Sequence, residues 1–248
     1  MRILHDGVSI TGRRSNNEDA LLELPDRGLF AVADGMGGYE GGEIASKAAL
    51  ASLAAYCELL DDSGLGVRDL ERPDGERVVK ERLARAIEVA DREVRRRAVG
   101  TLSRMGTTLA CLAVGPTRAA IAHVGDSRVY RLREGEVIGL TRDHSLVNEM
   151  RAAGLSAAIG GGGTRLKNII TQALGQGREV SPDLRVVDVL PGDRFLLCSD
   201  GLTDVLDDEA IGWAMTSKHR VARALTDAAY AAGSHDNITA LVVTIAEG

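Results

Sequence analysis

The sequence predicts an α+β fold in which two antiparallel sheets pack face to face with helices on their outer sides, and three features lead there. Short β-rich runs come in meanders, at residues 2–33 and again at 105–141. Two long helical patterns separate these meanders, from about Gly41 to Leu60 and from about Glu76 to Ala98. A strand pair around Pro191-Gly192 and a last strand near Asn237 bracket further helix.

Residues 2–10 and 20–24 read as strands on either side of a turn from Gly12 to Asp19, and Gly28 to Ala33 completes the first meander. Leu29 to Ala33 is unbroken apolar sequence, the pattern of a strand buried on both faces. Asp34 then stands where the backbone leaves the sheet. Gly35, Gly37 and Gly38 follow it, remove side-chain bulk and leave a peptide carbonyl free to turn toward an ion. Leu50, Leu53, Cys57 and Leu60 recur on one face of the first helix. In the second, Val79, Leu83, Ala86, Ile87, Ala90 and Val94 form the stripe that would be buried. Asp61 to Gly75, with Gly64, Gly66 and Pro73, reads as a surface loop. Arg95-Arg96-Arg97 reads as a solvated helix end, its cations near the negative pole of the helix dipole.

The second meander is punctuated by Gly115-Pro116, Gly125-Asp126 and Glu134-Gly135. Leu146 to Ala153 is a short helix, and the Gly154–Gly163 stretch after it ends in consecutive glycines that would leave it mobile. It is not a phosphate-binding P-loop, for no G-x-x-x-x-G-K-[ST] pattern is present. Leu184 to Leu190 and Asp193 to Ser199 are strands. Helix is expected after Gly201 through Trp213 and from about Arg220 to Ala231, before a last strand from Asn237 to Ile245.

Composition narrows the possible functions. The chain has 248 residues, room for one large domain or two small ones, with 44% apolar and 27% charged residues. Aromatics are only 3%, so the core is built from Ala, Val, Leu and Ile, and the composition argues against base-stacking platforms. A formal charge of −6 opposes a nucleic-acid surface. Cys57, Cys111 and Cys198 are widely spaced among apolar residues and read as buried free thiols in a reducing compartment. The N-terminus lacks the apolar core of a signal peptide and no run is long enough to span a membrane, so the expected location is cytoplasmic.

The chemistry lies in a repeated arrangement. Four times an apolar strand adjoins an aspartate in a polar turn: Asp34, Asp126 in Gly125-Asp126-Ser127, Asp200 in Ser199-Asp200-Gly201, and Asp236 in His235-Asp236-Asn237. Upstream lies the acidic pair Glu18-Asp19, preceded by Arg14. If these strand ends converge, the carboxylates cannot stay ionised together without cations between them. Oxygen donors of this kind suit Mg²⁺ or Mn²⁺ better than Zn²⁺. Asp126 also has a plain reading as a turn former. His123 reads as a satisfied core histidine, and His144 as a residue that caps or orients the helix beginning near Ser145.

Seven motifs occur in order: Arg14-Ser15-Asn16-Asn17-Glu18-Asp19, Asp34-Gly35-Met36-Gly37-Gly38, Met105-Gly106-Thr107-Thr108, Val124-Gly125-Asp126-Ser127-Arg128, Leu140-Thr141-Arg142-Asp143-His144-Ser145, Ser199-Asp200-Gly201-Leu202 and Asp236-Asn237-Ile238-Thr239. Together they resemble the metal-dependent protein phosphatases of the protein phosphatase 2C type, in compact bacterial form, over nearly the whole chain. The resemblance implies a four-layer α-β-β-α sandwich. It also implies one catalytic domain over residues 1–248, with a mobile flap subdomain at about 146–172.

The implied reaction is hydrolysis of phosphoserine and phosphothreonine in proteins. Two Mn²⁺ or Mg²⁺ ions about 3.5–4 Å apart would share and activate the attacking water. By resemblance Asp34 bridges the ions, Asp200 and Asp236 complete one, and the Gly35 carbonyl with Glu18 serves the other. Asp19 belongs to the same acidic set, and Asp126 would hold a third, weaker ion. Arg14 would bind the substrate phosphate, a task suited to a guanidinium fork; Arg13 is the alternative. Met36 stands where eukaryotic relatives have a histidine, and Thr164-Arg165 where the family often has His-Pro near the flap. The implied partners are phosphorylated proteins, a Ser/Thr kinase and its substrates, with neither nucleic acid nor membrane, for a monomer. Two other readings are a non-catalytic module binding phosphoproteins or metal on the same fold, and an enzyme for a small phosphoester.

Overall fold

The computed structural model describes residues 2–37, 40–60, 65, 67–155, 166, 169–177, 179–217 and 219–247. Twelve strands and six α-helices are described: β1 (Arg2–Ile10), β2 (Ala20–Leu24), β3 (Leu29–Ala33), β4 (Gly35–Met36), α1 (Gly41–Leu59), α2 (Gly75–Arg97), β5 (Gly106–Thr107), β6 (Leu109–Val114), β7 (Arg118–Val124), β8 (Arg128–Arg133), β9 (Glu136–Gly139), α3 (Leu146–Ala152), β10 (Asp183–Asp188), β11 (Arg194–Cys198), α4 (Asp200–Thr203), α5 (Asp208–Met215), α6 (Val221–Ala231) and β12 (Ile238–Ala246). One five-stranded sheet runs β1-β12-β11-β8-β9 and the other β10-β7-β6-β3-β2; β4 and β5 form a small pair. The pairings are antiparallel, as the meanders predict.

Strand alternation produces the layers. Along β3, Leu29, Ala31 and Ala33 face the core that contains Ala45, Leu53, Leu83 and Ile87 of α1 and α2. Phe30 and Val32 face the other way, packing with Phe195, Leu197, Leu241 and Val243 of the opposite sheet. That sheet's other side, including Leu196, Cys198, Ala240 and Val242, packs against Leu202, Ile211 and Leu225 of α4, α5 and α6. A strand covered on both faces reads as continuous apolar sequence because neither side meets water. The expected four-layer α-β-β-α sandwich is what forms.

Pairing also sorts the ends. Ala20 at the start of β2 lies opposite Ala33 at the end of β3. In the other sheet Ile10, the last residue of β1, lies opposite Ile238, the first of β12. Each antiparallel pair thus delivers the end of one strand and the beginning of another to the same edge.

Two local expectations change, and a third falls outside the described residues. Residues 61–75 are not simply a surface loop: Leu65, Val67 and Leu70 are buried, and Val67–Glu71 forms a 3-10 turn packed into the core around α2. Helix after Gly201 is not continuous to Trp213, because the chain breaks after α4 and restarts at α5, where Asp207 accepts a hydrogen bond from the Ala210 N–H. Residues 156–165 and 167–168, which include most of the glycine-rich stretch of the expected flap, lie outside the described residues. The three cysteines are buried free thiols as expected. Among the described residues no helix is long and apolar enough to cross a membrane.

Candidate active site

Asp34 sits at the tip of β3 and its backbone is fixed from three directions. Its N–H donates to Thr108 Oγ1 at 3.0 Å, and its carbonyl accepts from Thr108 N at 2.9 Å and Thr107 Oγ1 at 2.8 Å. The Asp34 carboxyl lies close to those of Asp19 and Asp200, whose charges act on it. Asp19 is buried, and its Oδ2 accepts from Ser199 Oγ at 2.7 Å and Thr239 Oγ1 at 2.6 Å. This one side chain therefore binds β2 to the edge of the other sheet.

Asn237 organises the Gly12–Asp19 turn. Its Oδ1 accepts from Glu18 N at 2.8 Å, while its Nδ2 donates to the carbonyls of Thr11 at 2.9 Å and Asn16 at 2.8 Å. The neighbouring Asp236 carboxylate takes a 2.6 Å ion contact from Arg14. Gly12 is required here, with φ of +62° and a backbone so close that a Cβ would collide with the Asp236 carbonyl. Glu18 lies beside Gly35, its carbonyl accepting from Gly35 N at 3.2 Å, and a Cβ at Gly42 would strike both Glu18 Oε2 and the Gly35 carbonyl carbon. Ser46 of α1 donates to the Glu18 carbonyl at 2.6 Å.

The expected residues Arg14, Glu18, Asp19, Asp34, Gly35, Asp126, Asp200 and Asp236 thus gather at one edge of the sandwich. Arg13 instead stacks over the Tyr230 ring at 5.4 Å. Burial is the largest influence raising the carboxyl pKa values of Asp19, Asp34, Asp126 and Asp200, and neighbouring carboxylates add to it. Among the described residues, one oxygen each of Asp19, Asp126 and Asp200 is buried with no hydrogen-bond partner. Buried carboxylate oxygens do not remain unpaired without a cost that a cation removes. An oxygen-only donor set fits hard divalent ions such as Mg²⁺ and Mn²⁺.

Several residues of the site were not singled out by the sequence. Asp204 adds negative potential at Asp126 and Asp200; its signal was the i, i+4 spacing from Asp200. Arg128 makes a bidentate pair with Asp143 at 2.8 and 2.7 Å just beyond Asp126. Thr107, Thr108, Ser199 and Asn237 lay inside motifs but carried no assigned role. His123 is buried as expected, yet among the described residues neither ring nitrogen has a well-aligned hydrogen-bond partner, so it is not a satisfied core histidine. His144 does not cap α3; its Nδ1 accepts from Gly125 N at 3.2 Å. A cavity of about 450 Å³ opens beside Met36, lined also by Thr171, Gln172, Gln176 and Ser181.

A profile described as protein phosphatase 2C matches residues 6–235. The chain belongs to the protein phosphatase 2C family. It is 36% identical over 242 residues to protein phosphatase PhpP of Streptococcus pneumoniae, covering 95% of this chain and 94% of that one. The serine/threonine phosphatase of S. agalactiae superposes with a TM-score of 0.86 at 33% identity, covering 98% and 99% of the two chains. The catalytic domain of the serine/threonine protein phosphatase PstP, solved in complex with two manganese ions, superposes with a TM-score of 0.81 at 32% identity and 99% coverage of both chains. The protein phosphatase 2C fold thus accounts for all four layers of this chain.

Proposed function

We propose that this chain is a serine/threonine protein phosphatase that hydrolyses phosphoserine and phosphothreonine with the help of two Mn²⁺ or Mg²⁺ ions. The observation that carries this reading is the convergence of buried, partly unpaired aspartates with an arginine at their rim. The family relation and the manganese-bound PstP relative support it. Asp34 would bridge the ions, with Asp200 and Asp236 completing one and the Gly35 carbonyl and Glu18 the other. Asp19 would lend the oxygen that Ser199 and Thr239 leave free, and Asp126 would face a third, weaker ion.

A bound ion pair supplies Lewis acidity and a water of lowered pKa. The chain's own groups do the rest. Arg14, exposed and paired with Asp236, turns its guanidinium to the phosphate oxygens and balances their charge. The Thr107 and Thr108 hydroxyls keep Asp34 from shifting as charge develops. Met36 has no exchangeable proton, so the leaving alkoxide is protonated by another group. The cavity beside Met36 gives room for residues flanking the phosphorylated one. We further infer a single catalytic domain over residues 1–248, with a flap at about 146–172, acting as a cytoplasmic monomer on the targets of a Ser/Thr kinase.

The test is phosphate release from a phosphothreonine peptide by the purified protein with Mn²⁺ and then with EDTA. Release that requires Mn²⁺ and stops with EDTA is the expected result. Mn²⁺ binding without release from peptide or small phosphoesters would instead identify a phosphoprotein-binding module.

A further inference from the structure

Among the described residues, buried polar side-chain atoms without partners gather mainly in two places. One is the carboxylate cluster; the other comprises both ring nitrogens of His123, Ser145 Oγ and Thr171 Oγ1, beside His144 Nε2, whose neighbour Asp183 lies close without an aligned hydrogen bond. Ligand atoms of His123, His144 and Asp183 lie within 4.8 Å of one another, a spacing that invites a cation. Hydrogen bonding decides against one. The Gly125 N–H donates to His144 Nδ1, so the neutral ring carries its proton on Nε2, the atom that faces Asp183 Oδ2 at 3.2 Å. A ring in that tautomer has no lone pair to offer an ion there.

The same hydrogen bonds point to another role. Gly125 adopts φ of +101°, and a Cβ would come within 2.6 Å of Thr108 Cγ2, so the turn that presents Asp126 must be glycine. Glycine has no side chain with which to hold that conformation. His144 does so instead: its N–H donates to the Gly125 carbonyl at 2.7 Å while its ring accepts from the Gly125 N–H. Its own carbonyl accepts from Thr171 N at 2.8 Å, and Leu146 N donates to the Ile169 carbonyl at 2.9 Å. Three residues beyond Thr171, Leu174 exchanges two hydrogen bonds with Thr107, at 3.0 and 2.8 Å, and Thr107 holds the Asp34 carbonyl. The His123 ring packs against the His144 ring at 4.7 Å between centroids.

We propose that His144 is a positioning residue that fixes the Gly125-Asp126 turn and, through the 169–174 segment, holds Asp126 in register with Asp34. The proposal rests on the reading of Asp126 as a metal ligand. Groups that orient ligands in this way are worth roughly tenfold to a hundredfold in metal affinity or activity when removed.

Three variants of the full chain separate this role from simple packing. His144→Asn places an amide oxygen near the position of Nδ1 and can still accept from Gly125. His144→Gln places its amide near Nε2 and cannot; His144→Leu has no polar atom. The expected result is that Gln and Leu lower kcat or raise the Mn²⁺ requirement by roughly tenfold or more, with KM for the peptide unchanged, while Asn restores most of the loss. In the metal-free wild type, ¹⁵N spectra should show His144 Nδ1 unprotonated and Nε2 protonated. The Gly125 amide resonance should move in Gln and Leu but stay in Asn. Equal activity of the Asn and Gln variants at equal melting temperature, or a protonated Nδ1, would overturn the proposal. Full activity of Asp126→Ala would instead remove the underlying reading of Asp126 and, with it, the link to catalysis. An impaired Asp126→Ala beside an unimpaired His144→Leu would refute the positioning role alone.

Discussion

Carboxylates occur in two opposite settings in this molecule. Along α2, Glu76, Glu88 and Glu93 lie half-exposed at the surface beside Lys80, Arg118, Arg85, Arg92, Arg96 and Arg97, and hydrogen bonds from these cations hold their pKa values down, that of Glu93 to about 2. At the sandwich edge Asp19, Asp34, Asp126 and Asp200 are withdrawn from water among other carboxylates, and their pKa values rise. The functional group is the same, so the difference comes from solvation and the sign of the neighbours. The α2 carboxylates find counter-charges on their own helix and, for Glu76, on Arg118 of β7. The edge cluster leaves that charge to something outside the chain, and a site for divalent ions is the physical consequence.

The comparison is broken most decisively at the cluster. Asp34→Ala or Asp200→Ala should abolish turnover and most Mn²⁺ binding, measured by phosphate release and by titration with the ion; full activity in either variant would mean that the cluster is not the site.

Next in size is the effect of the ions on stability. At a Mn²⁺ concentration about 100-fold above its dissociation constant the gain is about 2.7 kcal/mol, or roughly 5–10 °C in melting temperature for a chain of this size. The two settings should also respond oppositely to pH. A carboxyl raised in the folded state keeps a proton that the unfolded chain gives up, so the metal-free protein should lose stability as pH rises from near 4 toward about 8, the value to which Asp200 is pushed. Saturating Mn²⁺ should flatten that slope. The α2 carboxylates, lowered in the folded state, contribute stability above the ordinary range and lose it as pH falls. Melting curves across pH with and without Mn²⁺ would show both, and a metal-free protein that gains stability from pH 5 to 8 would contradict the cluster's electrostatics.

Arg14→Ala should have a smaller effect, raising KM for a phosphopeptide by roughly tenfold while Mn²⁺ binding persists. An unchanged KM would move the phosphate contact elsewhere. The smallest effect is expected on the helix. Glu93→Ala breaks exposed pairs with Arg96 and Arg97, contacts of a kind worth about 0–1 kcal/mol, and should shift melting by no more than about 4 °C without touching activity.

Much of the architecture was legible because it is written in local periodicity. Leu29 to Ala33 announced a strand covered on both faces, and the stripe from Val79 to Val94 announced the buried side of α2. The loop at 61–75 was misread because Leu65, Val67 and Leu70 are isolated apolar residues, too few to show a period, and only the neighbouring core shows that they are buried. Asp207 was missed for a related reason: a cap breaks a helix through one hydrogen bond, and the flanking apolar pattern continues across it.

The site divides in the same way. The sequence by itself determined that aspartates stand at strand ends, that glycines leave room beside them, and which family such an order of motifs resembles; these are properties of neighbours in the chain. Only the tertiary structure decided that Asp19 shares its carboxylate with Ser199 and Thr239, that Asn237 holds the turn carrying Glu18, and that Arg14 rather than Arg13 meets Asp236. It also decided that His144 grips Gly125. Each of these contacts joins residues far apart in the chain or chooses between adjacent ones, and each depends on which strand edges the antiparallel pairing brings together and on where burial leaves a polar atom in need of a partner.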